Sequence, residues 1–395
     1  MLRSPRLSRR FALFAAVILS SLGFQSAFAQ FGGGGTPTPP LKLRDGDRIA
    51  LLGGTFIERS QMYGYFELAL QIANPDKHLA VRNLGWSGDE ATGISRARFG
   101  NQQEGYNHLL NSVDLVKPTV ILVGYGTNEA FQGEAGLEAF KANYNKLLDD
   151  LKKRTERIVL ITPPEMEKQP APLPDPAQYN ANVKRYQKAI EEIAYDRGYL
   201  VLDLTAITKS AYNDDARWIP SPLTSNGQHF TETGYWFLSR RMAGQLGFGS
   251  ALRYQVREDS KRSGNWDLPY PRSPVAKKQD LVPLRLVDFP DGKYTVGIND
   301  YPKAKTSVKQ GKAMITVPAQ PLLQKTEELR QTILRKNQLF FDRFRPQNET
   351  YLYLFRKHEQ GNNAVEIPQF DPLIEEQDQK IFELKQPVPV TLHID

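Results

Sequence analysis

The chain has 395 residues, no cysteine, five histidines and a formal charge of +7. That composition excludes thiol nucleophiles, disulfides and cysteine metal sites, and the histidines, at positions 78, 108, 229, 358 and 393, are too scattered for a zinc cluster. Four of the charges are Arg3, Arg6, Arg9 and Arg10 in a segment without acids, so the chain after residue 29 carries 7 − 4 = +3, which is no nucleic-acid footprint.

In chain order, the basic start is followed by the apolar run Phe11 to Leu19 and by Ala27-Phe28-Ala29 before Gln30. This pattern predicts a secretory signal peptide over 1–29, too short for a membrane span; a retained anchor is the alternative. Arg9-Arg10 fits twin-arginine export poorly. The expected protein is exported, periplasmic or extracellular, and no later run of about 18 apolar residues predicts a span. Residues 30–40, Gln-Phe-Gly-Gly-Gly-Gly-Thr-Pro-Thr-Pro-Pro, read as a flexible linker.

Strands and helices then alternate. Strands are predicted at Arg48–Leu52, His78–Asn83, Thr119–Val123, Arg157–Thr162 and Leu200–Leu204. Helices are predicted near Ser60–Ala73, along Leu137, Phe140, Tyr144, Leu147 and Leu151, along Val183, Tyr186, Ile190 and Ile193, and from a cap at Thr231 or Thr233 to about Leu246. Strands that are apolar on both faces and separated by helices predict an α/β domain with a covered parallel sheet at about 41–250. Residues 255–280, polar and proline-rich, read as a linker. A small β unit is expected at 281–318, with a hairpin at Asp291-Gly292 between its first two strands. The last segment, 319–395, is expected to be helical and to pack on the first domain, led by a helix at about 320–344 whose buried stripe is Leu329, Ile333, Phe340 and Phe344.

Four short blocks sit at strand ends or helix starts, where open α/β sheets place their sites. They are Gly53-Gly54-Thr55, Asn83-Leu84-Gly85-Trp86-Ser87-Gly88-Asp89, Gly126-Thr127-Asn128-Glu129 and Asn226-Gly227-Gln228-His229. Each alone is weak; in this order, over residues 45–245, they resemble the SGNH/GDSL hydrolase superfamily. The resemblance implies a three-layer flavodoxin-like fold with a central parallel sheet, to which the small β unit and C-terminal helices are added. It implies esterase chemistry with no cofactor and no metal.

The resemblance also implies roles. Thr55 takes the place of the family's nucleophilic serine, where it either attacks or only caps the following helix; its extra methyl stiffens χ1 and crowds attack. The oxyanion donors map onto the N–H groups of Thr55 and Gly88 and the side chain of Asn128, each of which can be worth on the order of 3–4 kcal/mol in such sites. His229 takes the general-base position, and Asn226 stands where the family has aspartate, able to accept the imidazole N–H but without a charge. Glu129, Glu232 or Glu349 could supply the missing carboxylate. Trp86 reads as a hydrophobic wall, and Glu129 as a group that orients Asn128 or forms an ion pair.

The tail segments 343–351 and 355–363 are dense in polar and aromatic groups. They either close the interface with the first domain or line the cleft. His358-Glu359 fails as a zinc motif because position 362 is Asn, and Asn348-Glu349-Thr350 is a sequon that a bacterial-type leader argues against. Three functions remain: an exported ester hydrolase, for which a carbohydrate O-acetyl esterase is one form; an impaired carbohydrate-binding module; and a structural partner in an exported assembly. The expected partner is a small-molecule or carbohydrate ester, with oligomeric state left open.

Overall fold

The computed structural model describes residues 41–213, 222–249, 254–276, 278–359 and 363–395. The expected signal peptide (1–29), the tether (30–40) and Asn362 of the tail lie outside the described residues. Five short strands form one parallel sheet: β1 (Arg48–Gly53), β2 (Ala80–Asn83), β3 (Val120–Gly124), β4 (Ile158–Ile161) and β5 (Leu200–Leu202). Their order is β2-β1-β3-β4-β5, the flavodoxin-like doubly wound arrangement expected from the sequence. The order reverses between β1 and β3, so the crevice beyond their C-terminal ends is where such sheets bind ligands.

The strands alternate with α1 (Thr55–Ser60), α2 (Tyr65–Ile72), α3 (Gln102–Val116), α4 (Leu137–Lys152), α5 (Ala177–Arg197), α6 (Leu204–Asn213) and α7 (Glu232–Ala243). Successive strand residues enter opposite cores. Ile49, Leu51, Val120, Leu122, Val159 and Ile161 face α1, α2, α6 and α7. Ala50, Leu52, Ile121, Val123, Ile158 and Leu160 face α3, α4 and α5. Both faces are dry, which is why these strands read as continuous apolar runs.

Several boundaries differ from the sequence reading. The helix expected near Ser60–Ala73 is two helices starting at Thr55, broken at Gly64, whose φ is +68°. A Cβ there would also approach Leu334 and Ile333 at 3.1 and 3.2 Å, so glycine serves both the turn and the packing. The last strand stops at Leu202 rather than Leu204, because Asp203 Oδ1 accepts from the Ala206 N–H at 2.9 Å and starts α6. Thr231, not Thr233, caps α7, accepting from the Gly234 N–H at 3.2 Å.

The C-terminal third departs further. Residues 255–280, expected as a linker, contribute β6 (Tyr254–Arg257) and β7 (Ser263–Trp266). They join β8 (Leu281–Val287), β9 (Gly292–Ile298), β10 (Ala304–Val308), β11 (Lys312–Pro318) and the terminal β12 (Val388–Ile394). The sheets β10-β9-β12-β7 and β11-β8-β6 enclose a core that includes Val256, Leu284, Leu286, Val296, Ile298 and Val390. The Asp291-Gly292 hairpin is not formed, since β8 and β9 belong to different sheets; Asp291 instead accepts from the Gly311 N–H at 3.1 Å. The segment 319–395 is therefore not wholly helical. It carries α8 (Gln320–Phe344), α9 (Glu349–Leu352) and α10 (Phe370–Leu384) before β12.

The stripe Leu329, Ile333, Phe340 and Phe344 is buried as expected, and α8 lies against the outer strand β2. There Lys336 Nζ sits 2.6 Å from both oxygens of Glu67 on α2 and 2.8 Å from the Val81 carbonyl. Burial opposes ionisation of each partner, while the contact favours the charged pair. Arg82 pairs with Asp378 of α10 beside it. A helix tied to α2 by a buried ion pair and to the edge strand by the same lysine's hydrogen bond is part of the domain's own core, and it shields that edge from other strands.

Candidate active site

β1 ends at Gly53 and α1 begins at Thr55, so the Thr55 hydroxyl stands at the lip of the crevice. The second block lies directly on α1: a Cβ on Gly85 would fall 2.2 Å from the Glu58 backbone nitrogen. Asn83 fastens the two together, donating to the Ile57 carbonyl at 2.6 Å and accepting from the Gly85 N–H at 2.8 Å. This contact brings the Gly88 N–H to Thr55, donating to its Oγ1 at 3.0 Å. Asn128 reaches the same spot from the β3 side, its amide donating to the Gly88 carbonyl, which also accepts from Ser95 Oγ at 2.7 Å. An amide nitrogen has two hydrogens, so Asn128 keeps one donor beyond the bond to Gly88. Thr55, Gly88 and Asn128, named separately from the sequence, thus form one contiguous cluster.

Buried charge supports that cluster. Asp89, next to Gly88, accepts from Arg96 Nε at 2.7 Å and from Tyr125 Oη at 3.0 Å, with both ionic side chains shut off from solvent. Among the described residues Glu129 neither hydrogen-bonds Asn128 nor forms an ion pair. Its two oxygens accept from the Ala91 and Gly126 N–H groups at 3.0 and 2.9 Å, tying the second block to the third. Burial pushes this carboxyl up to about 7 against those backbone bonds. The fourth block is held by Glu167, a residue without a signal in the sequence, which accepts from the Leu223 and Thr224 N–H groups at 3.0 and 2.8 Å.

His229 lies on that fourth block and is half-buried. Asn226 Oδ1 accepts from the backbone N–H groups of His229, at 2.8 Å, and Gln228, at 3.1 Å. Those two donors identify the oxygen, so the amide nitrogen faces His229 Nδ1, at 3.4 Å. Asn226 therefore does not supply the expected acceptor for the imidazole N–H; it offers a donor instead. That contact favours the tautomer protonated on Nε2, whereas a base acting through Nε2 needs the proton on Nδ1. Partial burial, and then the charge of Arg59, lower the His229 pKa. Among the described residues no hydrogen bond joins His229 to Thr55.

None of the three candidate carboxylates faces His229. Glu129 is occupied as above. Glu232 accepts from Tyr65 Oη at 2.9 Å and faces Arg330 at 3.8 Å. Glu349 pairs with Arg98 at 2.6 Å. Glu349 and its neighbours close an interface: Arg345 lies 3.7 Å over the Trp86 ring and bonds Glu58 at 3.1 Å. Trp86 is a wall as expected, but it faces the end of α8, with Phe344 and His108 at its edges. Burial lowers the His108 pKa to about 4, keeping that imidazole neutral. Among the described residues no group of three or more acidic, histidine or cysteine side chains is arranged to hold a metal, and no helix is long and apolar enough to cross a membrane.

Residues 56–237 match the model of the GDSL-like lipase/acylhydrolase family, a match that begins one residue after Thr55 and includes His229. No curated protein sequence matches the chain. Among solved structures, BT4096, a gut microbial diltiazem-metabolizing enzyme, is 15% identical with a TM-score of 0.59, over 91% of this chain and 99% of that one. Axe2, an acetylxylan esterase from Geobacillus stearothermophilus, is 18% identical with a TM-score of 0.40, over 52% of this chain and 97% of that one. The lipase/acylhydrolase from Enterococcus faecalis is 20% identical with a TM-score of 0.35, over 51% and 95%. At 15% identity the likeness to BT4096 concerns the fold, and it extends through the C-terminal third as well. With the parallel sheet and the four blocks in order, residues 56–237 form a GDSL-like lipase/acylhydrolase domain, which supports a hydrolase acting on ester bonds.

Proposed function

We propose that the protein is an exported hydrolase of small ester substrates, with O-acetylated carbohydrate as the preferred class, working by acyl transfer through Thr55. The observation that carries this reading is the Gly88 N–H directed at Thr55 Oγ1 at 3.0 Å, with the Asn128 amide beside it. In the proposed reaction Thr55 Oγ bonds to the acyl carbon and its proton passes to His229. The carbonyl oxygen gains charge against the N–H groups of Thr55 and Gly88 and the second hydrogen of Asn128. Collapse breaks the ester C–O bond, and the leaving alcohol takes the proton from His229. Water then cleaves the acyl-threonine by the same steps in reverse. For the carbohydrate, support comes from the exposed Phe131 ring one turn beyond Asn128, backed by Tyr179 at 4.5 Å, a flat apolar surface for a sugar. Export rests on the leader-like residues 1–29.

The Asn226 amide facing His229 Nδ1 favours a second reading, a carbohydrate-binding module that has kept the crevice and lost the base. Turnover of a p-nitrophenyl acyl series separates the two, comparing the protein with Thr55→Ala, Thr55→Ser and His229→Ala. Under the hydrolase reading both alanine variants fall to background, and Thr55→Ser exceeds the present protein by removing the crowding methyl. Background rates for all four across short acyl chains would refute it.

A further inference from the structure

The crevice contains a cation that nothing in the described protein neutralises. Arg59 lies on α1 four residues after Thr55, so the two share one helix face, about 6 Å apart along the axis. Long side chains on a helix lean toward its N-terminus, which carries Arg59 over the turn that bears Thr55. On its other side stands His229, whose imidazole feels the Arg59 charge. Among the described residues Arg59 forms no ion pair and no side-chain hydrogen bond, and its Nε is shut off from solvent without an acceptor. The one acid beside it in sequence, Glu58, is engaged by Arg345 from the C-terminal segment. The surrounding rings are also committed: Phe56 and Tyr63 stack on Tyr235, at 5.4 and 5.2 Å.

Because the Nε is shut off from solvent, the groups left to meet an incoming oxyanion are the two terminal Nη groups, which have no partner among the described residues. A planar guanidinium with its donors free suits a carboxylate or another oxyanion through two parallel bonds. We propose that Arg59 is a specificity residue that binds a negatively charged group of the substrate, lying about one helical turn from the scissile ester. The ligand class is then an anionic ester, either an acyl group ending in a carboxylate or an ester on an acidic sugar. This inference rests on the reading that Thr55 marks where the ester sits, and it does not require that the ester be cleaved.

The test uses a matched pair of probes, monomethyl succinate (anionic) and methyl levulinate (its neutral isostere). Their dissociation constants are measured by NMR titration at constant ionic strength on the full chain and on Arg59→Met and Arg59→Lys. The expected result is a preference for the anion of roughly tenfold or more, the scale of a charge-assisted hydrogen bond. Arg59→Met should erase it, and Arg59→Lys, which keeps the charge but not the planar fork, should retain part. Equal affinities in the unaltered protein, or a preference that survives Arg59→Met, would overturn the proposal. The readout is binding, so an inactive protein that still prefers the anion sinks the hydrolase reading and leaves this one standing; turnover without the preference does the opposite.

Discussion

Asn226→Asp should raise catalysis. Asn226 already holds the place of an acid: its oxygen is fixed by two backbone N–H groups, and its nitrogen lies 3.4 Å from His229 Nδ1. The substitution keeps the first oxygen where it is and exchanges the –NH2 for a second oxygen. That oxygen accepts from Nδ1–H, so the favoured tautomer switches and Nε2 becomes free to take the Thr55 proton. It also stabilises the imidazolium formed in the transition state. A hydrogen bond to a charged group contributes about 1.5–3 kcal/mol. Because Asn226 is exposed, the lower part of that range applies. At about 1.4 kcal/mol per decade, the expected gain in kcat/KM is roughly tenfold, with a ceiling near a hundredfold. The assay is release of p-nitrophenolate from the acetate ester as a function of pH. In the unaltered protein the acid limb should lie below the usual imidazole value of 6.5, since partial burial and Arg59 both disfavour the cation. In the variant the new carboxylate favours the cation, so the limb should move to higher pH. A folded variant with unchanged or lower kcat/KM and an unmoved limb would refute the tautomer argument.

Two further outcomes concern the join between the halves. Lys336→Met leaves Glu67 as a buried carboxylate without its counter-ion and should cost about 3–5 kcal/mol in urea unfolding. The double variant with Glu67→Leu should recover most of that loss, and a single-variant cost below about 1 kcal/mol would show the pair to be hydrated. Lys385 is buried against Gln71 and the Lys77 carbonyl, and burial lowers its pKa to about 8 from 10.5. Between those values the unfolded chain holds a proton that the folded chain does not, so stability should rise with pH across that window and carry no slope from this residue below it. Melting temperatures measured from pH 7 to 10 should show the rise, and Lys385→Met should remove it.

What the sequence made legible follows from local physics. Strands β1, β3, β4 and β5 are apolar on both faces, which alternation of burial between two cores requires, and the four blocks lie at strand ends or helix starts because loops there carry sites. The stripe of α8 and the Thr231 cap are likewise written in neighbouring residues. α3 was missed although Tyr106, Leu109, Val113 and Val116 sit at steps of three and four, a pattern diluted by its polar outer face. β6, β7 and β12 were illegible for a different reason. β6 and β7 have four residues each, and for all three the partner that makes the segment a strand is remote in sequence. The site divides in the same way. The clustering of Thr55, Gly88 and Asn128 could be anticipated from order alone. The direction of the Asn226 amide depends on which backbone N–H groups claim its oxygen, and the isolation of Arg59 depends on Glu58 being taken by a residue almost three hundred positions away.

The placement of β12 bears on which strand edges the fold leaves open. β7 pairs only with β12 among the described strands, and Ser263 meets Thr391 across a sequence separation of 128 residues. Until Val388–Ile394 is in place, β7 therefore has no strand partner among the described residues and stands as an open edge. The five-stranded sheet is complete in sequence by Leu202, yet the outer side of β2 is covered only when α8 follows. A chain lacking both segments would expose two unsatisfied strand edges at once, which makes α8 and β12 guards against edge-to-edge aggregation.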